Sequence, residues 1–178
     1  HFDHIQVISL DGELTVDLVR AQLHSFTAHG SEMALVAARR WTDVLGRHCA
    51  LSPFVILATS DPTHHLDASP RGGPPGFVKV TADGALLIPD APGNNRLDSF
   101  ENIVSTGCAG LLFLIPGFDE TLRVNGSATL SQGDADIALC ADERRAPKLV
   151  VRVEVEAAYL HCAKAFMRSR LWDPQARV

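Results

Sequence analysis

From Thr121 to Leu130 the chain alternates without a fault. Leu122, Val124, Gly126, Ala128 and Leu130 fall on one side, Thr121, Arg123, Asn125, Ser127 and Thr129 on the other. A helix would scatter these apolar residues around its whole circumference; only a strand collects them on one face. The pattern therefore predicts a half-buried antiparallel strand. A second alternation runs over 149–156, with Leu149, Val151, Val153 and Val155 opposed to Val150, Arg152, Glu154 and Glu156. Strands need neighbours, and four more candidates are present. "PFVILATS" (53–60) and "AGLLFLI" (109–115) are unbroken apolar runs, expected as strands buried on both faces. "FVKV" and "ALLI" flank Asp83-Gly84, a favoured two-residue hairpin turn. Six hairpin-connected strands with a helix at 96–105 between them predict an α+β fold, an antiparallel six-stranded barrel flanked by helices. A doubly wound parallel sheet would need strands and helices to alternate regularly.

The remainder reads as helical. One segment covers Val16–Phe26, and another Glu32–Cys49 with Met33, Val36, Ala37, Trp41, Val44 and Leu45 near one face. A third covers Ala157–Arg170, before Pro174. The expected organisation is a single domain over 1–178, in which 1–50 form a helical N-terminal extension packing on the barrel. Residues 51–178 then carry the barrel and a C-terminal helix. A chain of 178 residues can bury one real core. With 46% hydrophobic and 21% charged residues it has the composition of a soluble globular protein. A net charge of −5 argues against nucleic acid as a partner. No apolar run approaches the ~20 residues that span a bilayer, and no signal peptide opens the chain, so a cytoplasmic protein without a membrane partner is expected. Cys49, Cys108, Cys140 and Cys162 form no C-x-x-C pair and are expected as reduced thiols.

Most familiar chemistry is absent from the sequence. Adjacent His64-His65 cannot chelate as an i, i+4 pair would, and His161-Cys162 has no partner at ligand spacing, so no metal site is expected. There is no G-x-S-x-G elbow. The Pro-Pro of "SPRGGPPG" (69–76) prevents the helix that a Walker A or dinucleotide loop requires. Two loops remain. In the first, Ser69, Arg71 and Gly72-Gly73 combine a guanidinium with a backbone that a ligand can approach; an ordinary Gly/Pro loop reads the same way. In the second, "GNNRLDS" (93–99), Asn94 or Asn95 can cap a helix whose first turn carries Arg96, with Ser99 nearby. A helix N-terminus already holds about half a positive charge, so a cation there calls for a negative partner. That partner is either an anionic ligand or one of Asp98 and Glu101. Near the C-terminus, Lys164, Arg168 and Arg170 suit the end of a helix, and Trp172 follows it.

Taken in order, "SPRGGPPGFVKV … LLIPDAPGNNRLDSFENI … AGLLFLIPG … ETLRVNGSATL … AYLHCAKAFMRSRLW" resembles the pyridoxamine 5′-phosphate oxidase-like, FMN-binding split-barrel superfamily. More narrowly it is similar to a bacterial flavin-nucleotide-binding branch. The resemblance covers about residues 50–174. It implies a homodimer with two FMN sites at the subunit interface. By position, Ser69, Arg71 and Gly72 with Ile88 and Pro89 would line the flavin, Asn95 and Arg96 would hold its phosphate, and Lys164, Arg168 and Trp172 would reach the partner's FMN. Where the branch commonly has an Asp after the first loop's Arg-Gly, this chain has Gly73. The C-terminal signature by which true pyridoxamine phosphate oxidases recognise substrate is also missing, so vitamin B6 synthesis is not expected. The function implied is an FMN-dependent oxidoreductase using a small organic substrate and a nicotinamide donor, with no residue marked as catalytic. The alternatives are a flavin carrier or sensor without turnover, and a haem-binding split-barrel protein.

Overall fold

The computed structural model describes residues 6–9, 44–93, 96–142, 145–161 and 163–176. The segment Val16–Phe26 and most of Glu32–Cys49, expected as helices, lie outside these. Among the described residues there are eight strands: β1 (Gln6–Ser9), β2 (Phe54–Ser60), β3 (Leu66–Gly72), β4 (Lys79–Val80), β5 (Leu86–Pro89), β6 (Cys108–Leu114), β7 (Thr121–Ser131) and β8 (Val150–His161). Four helices accompany them: α1 (44–51), α2 (Asp98–Thr106), α3 (Asp134–Cys140) and α4 (Lys164–Ser169). A single 3-10 turn follows at Pro174–Ala176.

All pairings are antiparallel, and the order is β3-β2-β6-β7-β8-β5-β4, with β1 lying along β8. The edge strands β3 and β4 are at opposite ends of this order, so the barrel is split rather than closed. The inward side chains of both halves, among them Val55, Leu57, Leu86, Phe113, Val124 and Val153, share one core with Ile103 of α2 and with Leu45 and Cys49 of α1. α2 thus fills the inner side of the open sheet.

Three sequence expectations need correction. The sheet has eight strands rather than six, because β1 and β3 fall in stretches read as helical extension and loop. Pro70 is tolerated in β3 because an edge strand has one side with no ladder to complete. The Asp83-Gly84 hairpin is not a two-residue turn. Gly84 N–H donates to Thr81 O (3.0 Å) and Thr81 N–H to Ala85 O (2.9 Å), and of the two turn residues only Gly84 has positive φ, at 88°. That is a four-residue turn closed by a left-handed glycine. Finally, residues 157–161 continue β8 instead of starting a helix. Residues 157–160 are flanked by β1 on one side and β7 on the other, so the ladder satisfies their backbone from both sides, and His161 pairs with Thr121 of β7.

The turn of direction in β8 comes from a bulge. Opposite Asn125 and Gly126 of β7 the register slips from Ala157 to Val155, leaving Glu156 as the extra residue. Inward positions therefore run Val151, Val153, Val155 and then Ala158, a change of phase.

On the other side of the sheet, α3 covers β5 and β8 with a small cluster of Leu87, Cys140, Val150 and Ile137. Beside it Arg152 ties three pieces together. Its Nη2 donates to Asp83 (2.5 Å), its Nη1 to Asp136 on α3 (3.3 Å) and its Nε to Glu154 (2.7 Å). The guanidinium is 20% exposed, whereas the Asp83 and Glu154 side chains are more than half exposed, so solvent screens much of the attraction. Arg152→Ala is expected to cost roughly 1 kcal/mol. Urea melts in low and high salt check this, since the loss should shrink as salt rises.

Candidate functional site

The inner face of the sheet changes character at its edge. On β2 that face carries Val55, Leu57 and Thr59, all buried. Their partners on β3 are Arg71, Ser69 and Asp67. The core therefore ends in a polar rim, and the N-terminus of α2 lies over it. Ser99, in the first turn of α2 and 3% exposed, donates its hydroxyl proton to Asp67 Oδ2 at 2.6 Å. Arg71 Nη2 donates to the same hydroxyl oxygen at 3.2 Å, and the guanidinium carbon lies 5.3 Å from the centre of the Phe100 ring. Arg71 Nε is buried without a hydrogen-bond partner among the described residues.

The entrance of α2 is formed by Leu97, the N-cap, with no side-chain cap, and its carbonyl accepts from both Phe100 (2.8 Å) and Glu101 (2.9 Å). Asn94 and Asn95 lie outside the described residues. The amides of the first helical positions have no intrahelical acceptor, as in any helix. Arg96 Nε donates to Asp98 Oδ2 at 2.7 Å, with the two side chains 72% and 47% exposed. The pair pushes the arginine's pKa up, and the same hydrogen bond holds the Asp98 carboxyl below its ordinary range. Asp67 adds a smaller attraction on Arg96. So the cation at the helix entrance has a protein partner. Arg71 and Arg96 are matched in number by Asp67 and Asp98.

Other expected site residues are placed as follows. Ser69 is half-buried between Asp67 and Arg71 on the rim, and Gly72 ends β3. At Gly73 an added Cβ would sit 2.8 Å from Phe77 Cβ and 2.9 Å from its Cγ, so this glycine lets Phe77 fold against the loop. Ile88 is a core residue, 1% exposed, and Pro89 closes β5 beside Val150. Lys164 and Arg168 are exposed on α4. Trp172 Nε1 donates to Phe118 O (2.9 Å), in the turn between β6 and β7, and its ring stacks on Phe166 at 5.7 Å. Within one chain, then, Ser69, Arg71 and Gly72 share the rim on which α2 and Arg96 close, while Trp172 docks on Phe118. Sequence reasoning missed Asp67 and Phe100. Asp67, Ser69 and Arg71 alternate, which is a strand signal, but Pro70 and the glycines masked it.

Burial pushes the Cys49 thiol up to about 12 and Cys140 to about 11, so both are neutral thiols at physiological pH. Among the described residues no cluster of His, Cys, Asp and Glu could hold a metal ion, and no helix is long and apolar enough to cross a membrane.

An antiparallel sheet curled round one core, open between its edge strands and filled by a helix, is a split β-barrel of the pyridoxamine 5′-phosphate oxidase-like class. A sequence profile described as pyridoxamine 5′-phosphate oxidase matches residues 48–162, more than half of the chain, and the chain belongs to that family. A comparison with curated protein sequences finds no match. Among solved structures, HupZ from Group A Streptococcus is similar with a TM-score of 0.52 and 15% identity, covering 64% of this chain and 93% of that one. The FAD binding protein from Mycobacterium smegmatis has a TM-score of 0.42 and 14% identity, covering 67% and 90%. The haem storage protein HutZ from Vibrio cholerae has a TM-score of 0.41 and 9% identity, covering 64% and 87%. At these identities the likeness concerns the fold alone.

Proposed function

We propose that this chain binds FMN on the β3–α2 rim and works as a homodimeric FMN-dependent oxidoreductase on a small organic substrate. The observation that carries the reading is Arg71, clamped by Ser99 and Phe100 beside the entrance of α2. Its buried Nε–H still lacks an acceptor among the described residues, which fits an oxygen-rich ligand. Arg71, Arg96 and the first amides of α2 are suited to the phosphate, and the free backbone edge of β3 at Ser69 and Gly72 to the flat ring. When bound, the flavin supplies the hydride chemistry; the chain supplies orientation and charge.

Dimerisation is supported by the two unbroken apolar runs. Both were expected to be buried on two faces, yet in the single chain the outward Phe54, Ile56, Leu112 and Leu114 are only half-buried, and neighbouring Leu66 is 86% exposed. Ile56 and Leu112 are direct cross-strand partners, so these side chains form one apolar patch. A second copy would cover it.

One experiment tests both parts. The purified chain, mixed with FMN and passed through size-exclusion chromatography with light scattering, should elute at dimer mass with flavin absorbance in the same peak. Arg96→Ala should elute identically but carry less flavin, by about tenfold in affinity. A monomer, or a colourless peak, overturns the corresponding part of the proposal.

A further inference from the structure

We infer that Asp67 is a positioning residue for phosphate recognition: acting through Ser99, it fixes the guanidinium of Arg71. The inference rests on the FMN reading above and adds to it a residue that touches no ligand.

A serine hydroxyl has one proton to give and two lone pairs to receive. At Ser99 that proton is committed to Asp67 Oδ2 over 2.6 Å, a short bond to a carboxylate. A lone pair of the same oxygen then faces Arg71 Nη2, which donates over 3.2 Å. Without Asp67 the hydroxyl could turn its proton toward Arg71, and donor would meet donor. Ser99 is 3% exposed, so water is poorly placed to take over. Asp67 and Arg71 stand four residues apart on one face of β3, and Ser99 bridges the gap from α2. Phe100 supports the guanidinium. The order Asp67, Ser99, Arg71 thus sets the plane and direction of a cation before any ligand arrives. The partly buried guanidinium then meets phosphate with little reorganisation.

The test compares FMN with riboflavin, which has the same ring and no phosphate. Equilibrium titrations are made with the unaltered chain, Asp67→Ala, Asp67→Asn, Ser99→Ala and the Asp67→Ala/Ser99→Ala double variant. The unaltered chain should prefer FMN. Asp67→Ala and Ser99→Ala should each lower that preference by about tenfold, leave riboflavin binding in place, and together do no more than either alone. Asp67→Asn still offers an oxygen to the Ser99 proton and should keep the preference. Should Asp67→Ala not fold, Ser99→Ala and Asp67→Asn carry the same comparison. A preference for FMN that survives both alanine variants, or losses that add, overturns this inference alone. Equal binding of FMN and riboflavin by the unaltered chain overturns the FMN-phosphate reading, and this inference with it.

Discussion

Gly126→Ala is expected to destabilise the chain by roughly 3 kcal/mol or more, beyond the ordinary range for a single added methyl. The reason is local and geometric. At the bulge, β8 presses its backbone onto Gly126, so an added Cβ would overlap the Glu154 carbonyl oxygen, lie 2.9 Å from its carbon and 3.3 Å from Glu156 N. Those are main-chain atoms in the longest ladder of the sheet, and no side-chain rotation relieves them. Either the bulge opens, breaking the β7–β8 pairing beside it, or the inward phase of Ala158 and Leu160 is lost. Urea denaturation followed by circular dichroism reads the effect as a lower midpoint or as failure to fold. A midpoint equal to that of the unaltered chain would mean that β8 does not approach Gly126 in this way.

The second large effect is expected at Arg71. Arg71→Ala should weaken FMN by on the order of 100-fold while changing riboflavin far less. Arg71 is the basic residue of the rim held from two sides, by Ser99 and by the Phe100 ring. Arg96, by contrast, is 72% exposed and already paired with Asp98, so its contribution should be smaller. Arg71→Lys should restore only part of the loss, because an ammonium lacks the planar fork that can lie on Phe100 and bond sideways to Ser99 at once. Fluorescence quenching of the flavin during titration measures each variant. Full rescue by lysine would show that charge alone matters at this position.

What the sequence disclosed follows from where its periodicity was clean. β7 was legible throughout because its inward residues never change phase before Ser131. β8 was legible only as far as the bulge. After Val155 the inward residues shift to Ala158 and Leu160, and a spacing of three in a strand mimics one face of a helix. The true helix beyond it, α4, is only six residues long. β3 was hidden by Pro70 and by a reversed alternation, in which the polar Asp67, Ser69 and Arg71 face inward and the apolar Leu66 and Ala68 outward. That polar face is also what makes the rim, so the feature that obscured the fold is the one that defines the site. Arg96 was visible as an oddly placed cation, and the structure supplies the nearer of its two expected carboxylates, Asp98. The tie from Asp67 to Ser99 spans 32 residues and could not be read from local pattern.

The central claim is that flavin binds here through its phosphate, at Arg71 and the entrance of α2. Side-by-side titration of the unaltered chain with FMN and with riboflavin addresses it most directly. FMN should bind more tightly by at least about tenfold, as expected for charge-assisted hydrogen bonds to a phosphate, and added salt should narrow the difference. Equal affinities for the two flavins, or no binding of either, would contradict it.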